Sequence, residues 1–369
     1  MRLQKLILTQ FKNYGSQTVE FSPKLNLVTG LNGMGKTNLL DAVYYLCMGK
    51  SYFQGTDRNV VQHGAPFFRL EGYFYTDEKK ERIVAKVVPG KQKTFERNDL
   101  AYPRIADHVG LASVVFMAPD DTALALEGSE ERRRYLDNTL CQLDRRYLEE
   151  LLNYNRILEK RNAQLRLFAE QNHFNPLLLE AFDRQLLAPA AYILERREEF
   201  TAQFRPVFSE YHRLICGGAE AVECRYRSQL LEGDFTTLLH EGIEKDRTLL
   251  RTNTGIHKDD LVFVLDGQPL KRFASQGQLK SFVLSLKLAQ FEYLKKEKGQ
   301  YPILLLDDLF DKLDDERAGQ LIELLVKGDF GQVFISDTHP ERAELMAKRF
   351  NGAYKKFVVQ QGQVSENGN

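Results

Sequence analysis

The sequence predicts an α/β protein: a mixed sheet drawn from both ends of the chain, with a helical lid inserted between the two halves. Three observations predict it. Short runs rich in apolar and β-branched residues fill the first 117 residues. From about 128 to 215 the text turns dense in Leu, Glu, Arg and Gln at helical spacing. After 222, strands alternating with helices return, a pattern that calls for a parallel or mixed sheet covered on both faces. The expected parts are 1–127 for the N-terminal half of a head, 128–220 for the lid, and 221–369 for the C-terminal half.

The elements follow in order. LQKLIL (3–8), QTVEF (17–21) and LNLVT (25–29) read as strands, and the last runs through a glycine-rich loop into LLDAVYYLCMG, which has helical spacing. FFRLEGYFYTD (67–77), RIVAKVV (82–88) and SVVFM (113–117) read as further strands, with a turn at Pro89-Gly90. In the lid, LEELLNYNRILEKRNAQLRLF and LLLEAFDRQLLAPAAYILERREEF each keep leucines at three- and four-residue steps, which predicts an antiparallel helix pair. A helix of about 22 residues spans about 33 Å, so the lid is expected to be stubby. VECRYR (222–227) and LVFVLD (261–266) are strands, a long helix runs from near Ser275 to about Lys298, and PILLLDD, a helix at 314–327 and QVFISD close the series.

With 369 residues and 43% hydrophobic content, the chain can bury the cores of two or more lobes. Lys+Arg and Asp+Glu are equal at 51 each, which excludes a permanently basic coat protein and leaves room for a local basic surface. Cys47, Cys141, Cys216 and Cys224 lack a CxxC spacing and read as reduced thiols of a cytoplasmic protein. No run reaches the ~18 apolar residues of a membrane span, so no membrane partner is expected.

Gly30-Leu31-Asn32-Gly33-Met34-Gly35-Lys36-Thr37, followed by Asn38, fits GxxxxGK[ST] between a strand and a helix. The glycines let backbone N–H groups turn toward phosphate oxygens, and the helix start adds partial positive charge. Lys36 is expected to reach the β- and γ-phosphates of ATP, and the Thr37 hydroxyl to ligate Mg²⁺. Ile303–Leu306 runs into Asp307-Asp308, a Walker B pattern in which Asp307 would hold Mg²⁺ and Asp308 would orient or deprotonate the attacking water. About 270 residues separate Lys36 from Asp307, too many for a minimal GTPase or small-molecule kinase.

Phe273-Ala274-Ser275-Gln276-Gly277-Gln278 precedes the long helix and resembles the SxGQ signature of ABC and SMC ATPases. A hydroxyl, a glycine and a helix start form a second anion cradle, which one nucleotide does not need unless it lies on another copy. A Ser N-cap is the ordinary alternative for Ser275. Lys312-Leu313-Asp314 sits where such ATPases place a D-loop, and His339 follows QVFISD as a γ-phosphate-sensing switch histidine would. The fold class sharpens to a split ABC/SMC-type P-loop ATPase head.

The chain resembles the RecF family from its opening LQKLILTQFKNYG through VVQHGAPFFRLEG, FMAPDDTALALEGSEERRRYLDNTL, NTGIHKDDLVF, FASQGQLKS and LLLDDLFDKLD, in collinear order. Ile256 and Lys258 depart from the family's TGPHRDDL pattern. The resemblance implies an ATP-dependent homodimer that binds double-stranded DNA beside single-stranded gaps and works with RecO and RecR to load RecA in DNA replication, repair and the SOS response. It also implies weak, DNA-stimulated ATPase activity acting as a timer, in a nucleoid-associated cytoplasmic protein. For the DNA surface, the expected candidates are Lys86, Lys91, Lys93 and Arg97, or Arg132, Arg133 and Arg134 continued by Arg145 and Arg146. An SMC protein would need long coiled-coil arms, and a transporter subunit would lack the HKDD and ERRRYLD segments.

Overall fold

The computed structural model describes residues 1–76, 79–218, 220–310, 315–350 and 352–366. The chain divides into two compact units: Met1–Thr122, Tyr211–Gly218 and Ser275–Asn369 form the first, Ala123–Glu210 and Ala219–Ala274 the second.

The first unit carries two six-stranded sheets. One is antiparallel, in the order β2-β1-β4-β5-β6-β7, made of β1 (Arg2–Phe11), β2 (Tyr14–Glu20), β4 (Phe68–Tyr75), β5 (Lys80–Val87), β6 (Thr94–Arg97) and β7 (Leu100–Ala101). A bulge between Leu3 and Lys5 shifts the register against β4, so that Leu3, Leu6 and Leu8 all face the core despite their uneven spacing. The other sheet, in the order β15-β14-β3-β13-β12-β8, joins β3 (Leu25–Thr29), β8 (Val114–Met117), β12 (Ile303–Leu306), β13 (Val333–Asp337), β14 (Tyr354–Gln360) and β15 (Gln363–Glu366). Its inner pairs are parallel and the β14–β15 hairpin is antiparallel, the mixed sheet that the sequence predicts. Strands β3, β8, β12 and β13 are buried at every position, as unbroken apolar runs in a doubly covered sheet should be.

Helix α1 (Lys36–Met48) is buried nearly all round, its Leu39, Leu40, Val43 and Leu46 joining a core shared with Leu6, Phe68, Phe116 and Leu305 from both sheets. Gly49, left-handed at φ +70°, closes it. Helices α9 (Gln276–Lys298), α10 (Asp315–Lys327) and α11 (Pro340–Arg349) complete the unit. The registers Asp337↔Thr29, Leu306↔Ile335 and Leu306↔Met117 bring the C-terminal ends of β3, β13, β12 and β8 to one edge, where ligand-binding loops of parallel sheets gather.

The second unit holds α3 (Ser129–Leu143), α4 (Arg145–Glu170) and most of α5 (Pro176–Cys216). It also has short helices α2 (Ala123–Leu126), α6 (Phe235–Glu241), α7 (Ile243–Leu249) and α8 (Leu270–Phe273), and a sheet of β9 (Val222–Arg227), β10 (Asp260–Leu265) and β11 (Gln268–Pro269). Two expectations need correction. The lid boundary at 220 is too early, because β9 and β10 pair with each other from Arg227↔Asp260 to Val222↔Leu265 and join neither sheet of the first unit. The unit therefore runs to Ala274. Helix α5 is also 41 residues long, about 62 Å, not about 22 residues. It continues through Pro189 and Pro206, although an interior proline costs about 3 kcal/mol. Its buried stripe of Leu186, Ala190, Ile193, Phe200, Phe204 and Phe208 outweighs that penalty. The antiparallel pairing with α4 is present: Arg161 meets Asp183 at 2.5 Å, and Tyr147 meets Arg197 at 3.0 Å.

Candidate nucleotide-binding site

The loop between β3 and α1 needs its glycines. Gly30, Gly33 and Gly35 hold φ values of +152°, +79° and +118°. A Cβ on Gly30 would collide with the Val359 carbonyl oxygen, and one on Gly35 with the Asn13 side chain. The loop is braced from behind: Asn13 Nδ2 and Gly362 N donate to the Met34 carbonyl (3.0 and 3.1 Å), and Tyr14 OH donates to that of Gly35 (2.9 Å). Asn38 Nδ2 donates to Asn13 Oδ1 at 2.8 Å. No side chain caps the start of α1, so its first N–H groups face the loop as an anion cradle.

Lys36 lies inside this loop, 3% exposed, with Nζ donating to the carbonyls of Gly30 (2.8 Å) and Leu31 (3.4 Å) and 3.5 Å from Asp308 Oδ2. Thr37 Oγ1 donates to Asp307 Oδ2 at 2.8 Å. Ser336, at the end of β13, joins the two carboxylate residues: its Oγ donates to Asp307 Oδ1 (2.6 Å) and accepts from Asp308 N (2.9 Å). Burial pushes the Asp307 carboxyl up to about 6, while the hydrogen bonds from Ser336 and Thr37 pull the other way. Asp308 sits in the left-handed region at φ +42°, and its buried Oδ1 has no hydrogen-bond partner among the described residues. A hydroxyl and two carboxylates converging beside a phosphate-type loop are the hard oxygen donors that Mg²⁺ takes, and the orphaned Oδ1 is an unmet acceptor at that place. The residues fit the ion.

Beside the loop, an open cleft of about 810 Å³ is lined by Lys12, Asn13, Asn38, Gln54, Arg58 and Gln62, among others. Its size suits a small organic ligand.

The structure thus brings Lys36, Thr37, Asp307 and Asp308 into contact. Ser275 instead bonds within its own helix start: its Oγ accepts from Gln278 N (3.2 Å) and Gln278 Oε1 accepts from Ser275 N (2.8 Å), a capping box. A Cβ on Gly277 would collide with the Arg317 guanidinium, so that glycine is required by close packing. His339 is the N-cap of α11, with N–H donated to Asp337 Oδ1 (2.8 Å) and a side chain 56% exposed. Lys312-Leu313-Asp314 lies outside the described residues.

Sequence reasoning passed over Asn13, Tyr14 and Ser336. Asn13 lies in the turn after β1 and Tyr14 opens β2, some twenty residues before the loop they hold. Ser336 carried a signal, a small hydroxyl at the end of the strand beside β12. It also passed over Lys287, whose buried ammonium meets Tyr52 OH (2.8 Å), the Phe116 carbonyl (2.9 Å) and Asp121 (3.1 Å), tying α9 to the end of β8.

The expected basic surface is mostly engaged internally. Arg132 bonds Asp260 (2.6 and 3.1 Å), Arg133 the Asp259 carbonyl (2.8 Å), and Arg134 pairs with Glu131 (3.0 Å). Arg145 and Arg146 pair with Glu149 and Glu150, Arg97 with Glu81, and Lys93 with Asp57. Lys86 lies over the Phe67 ring, which leaves Lys91 exposed without such a partner among the described residues. No described helix is long and apolar enough to cross a membrane, and the four cysteines are free thiols.

The family model described as the RecF/RecN/SMC N terminal domain matches residues 2–363. The chain is 44% identical to the DNA replication and repair protein RecF of Flavobacterium johnsoniae, covering 97% of this chain and 99% of that protein. It is 39% identical to the RecF of Cytophaga hutchinsonii, covering 99% and 97%. A solved structure of the recombination mediator protein RecF-ATP in the RecFOR pathway is similar with a TM-score of 0.87 at 28% identity, over 100% of this chain and 98% of that one. An Smc head bound to the C-winged helix domain of ScpA, at TM-score 0.58 and 16% identity over 100% and 98%, shares the head fold.

Proposed function

The chain belongs to the RecF family, and from that premise we propose that it is an ATP-gated clamp of DNA replication and repair. Two copies close over ATP, hold duplex DNA beside a single-stranded gap, and release it on slow hydrolysis. The observation that carries this reading is the joining of Lys36, Thr37, Asp307 and Asp308 from opposite ends of the chain at one sheet edge.

Each residue has a part. The cradle of Gly30, Leu31, Asn32, Gly33, Met34 and Gly35 takes the phosphates, with Lys36 on the β- and γ-oxygens. Asn38 borders the polar cleft, which takes the nucleoside. Thr37 and Asp307 hold Mg²⁺, which when bound neutralises charge on the β- and γ-oxygens. Asp308, already aimed at the Lys36 ammonium, orients the attacking water and accepts its proton. An aspartate here is one methylene shorter than the glutamate common in ABC-type ATPases, which favours slow turnover. Ser275, Gly277 and Gln278 close over the γ-phosphate held by a second copy, and His339 senses it. RecO and RecR are the proposed partners, in keeping with the RecFOR pathway of the solved relative, and RecA loading is the proposed outcome.

Light scattering with and without ATP and Mg²⁺ tests the clamp. The wild type should shift from monomer to dimer mass, Lys36→Ala should stay monomeric, and Asp308→Asn should remain dimeric for longer. A monomer at saturating Mg-ATP, even with Asp308→Asn, sinks the reading.

A further inference from the structure

In the second unit, three aspartates in and beside the segment that carries the HKDD motif point inward, while Glu244 on α7 is exposed and pairs with Arg247 at 2.8 Å. Asp246, Asp259 and Asp260 are buried and are held by Arg161 (2.6 Å), Arg197 (2.7 Å) and Arg132 (2.6 Å) respectively. Three cations of the same stretch point outward without such a partner. Lys245, Arg251 and Lys258 are exposed, and among the described residues none has an acidic partner within ion-pair distance.

The local bonds bring these cations together on one rigid turn. Arg251 N donates to the Asp246 carbonyl at 3.1 Å, which folds the turn back on α7 beside Lys245. The His257 ring reaches the Thr252 carbonyl at 3.0 Å, tying the residue before Lys258 to the residue after Arg251. Arg133 Nη1 donates to the Asp259 carbonyl at 2.8 Å, immediately past Lys258. Gly255 at φ +132° lets the turn pass so close to Tyr154 that a Cβ would strike its hydroxyl, and Tyr154 in turn bonds His257 at 2.8 Å. The Lys258 ammonium is held below its ordinary value, first by partial burial and then by Arg251 and Arg133, with Asp246 pulling the other way and Lys245 adding to the lowering. Cations that repel one another in a fixed frame are relieved by an anion.

We propose that Lys245, Arg251 and Lys258 form a docking surface for the phosphodiester backbone of duplex DNA, fixed in place by the buried ion pairs beneath it. This rests on the reading that the protein binds DNA. Outward Lys and Arg above inward acids suit a repeating phosphate charge and supply no base readout, so the binding they support is indifferent to sequence and sensitive to salt. The motif is then a two-sided device: Asp259 and Asp260 lock the turn to Arg197 and Arg132, and Lys258 presents the charge.

The test is anisotropy of a labelled duplex with full-length protein, ATP and Mg²⁺ across a salt series. The variant carries Lys245→Gln, Arg251→Gln and Lys258→Gln, with thermal melting and ATP affinity measured alongside. Affinity at about 0.1 M salt should fall roughly tenfold or more, and the slope of log affinity on log salt should become shallower by about 2 to 3. ATP affinity and melting temperature should hold. A comparison variant with Lys79→Gln, Lys80→Gln and Lys91→Gln, in the first unit, should change the slope less. Wild-type affinity and slope in the first variant would overturn the surface, leave the clamp reading standing, and hand the patch to an acidic protein partner. Equal losses in both variants would reduce it to bulk charge. A wild type that ignores duplex DNA in ATP would overturn the DNA reading and the surface with it.

Discussion

Ser336 shows how much one side chain can hold. It is the shared partner of Asp307 and Asp308 N–H, so Ser336→Ala leaves buried polar groups unmatched at a cost of about 1–3 kcal/mol, read from urea denaturation. Hydrolysis should fall further than nucleotide binding, because the carboxylates lose their aim while the glycine loop stays intact. His257 sets a different expectation. Its Nε2–H serves the Thr252 carbonyl and its Nδ1 accepts from Tyr154, so the ring is neutral, and burial lowers its pKa to about 4. The folded value lies below the unfolded ~6.5, so its stability contribution is whole above pH ~6.5 and is lost as pH falls toward 4, up to about 3 kcal/mol. Denaturant midpoints across that window should drop for the wild type and drop less for His257→Asn. His108, buried against the Leu46 carbonyl with its pKa also near 4, acts in the same direction in the first unit.

Among the elements, α9 carries two separable functions. Ser275→Ala removes a capping box and should cost about 1 kcal/mol of stability, visible in thermal melting. If Ser275 also reaches a γ-phosphate on another copy, ATP turnover should fall by about a hundredfold, the scale of one lost oxyanion donor. Turnover that falls no further than the stability loss explains would confine Ser275 to capping. Deeper in the helix, Lys287→Met strands Asp121 in the interior and should cost about 3–5 kcal/mol, measured by chemical denaturation. Most strands and helices were readable in the sequence because their burial is periodic or continuous: β3 and β9 fall on the predicted residues. Helix α5 was not, since its length depends on a partner surface. Phe204 and Phe208 extend its buried stripe well past Phe200, where the visible leucine pattern ends.

For the whole molecule, assembly in trans can be tested by mixing. Lys36→Ala lacks a working phosphate loop, and Ser275→Arg lacks a working signature; each alone should be inactive. Mixed, they regenerate one complete site per dimer, and ATP turnover should recover to a measurable fraction of wild type, while no recovery would argue against shared sites. The sequence alone determined the chemistry that depends on local spacing. Gly30 to Thr37 and Ile303 to Asp308 declare themselves because a phosphate cradle and a metal-holding strand end are contiguous in the chain. Which basic residues stay free was decided only by tertiary structure. Arg132, Arg133 and Arg97 read as an open cationic face until Asp260, the Asp259 carbonyl and Glu81 arrive from elsewhere to engage them. Local spacing survives into the fold unchanged, whereas a charge's availability depends on partners that only folding brings within a few ångströms.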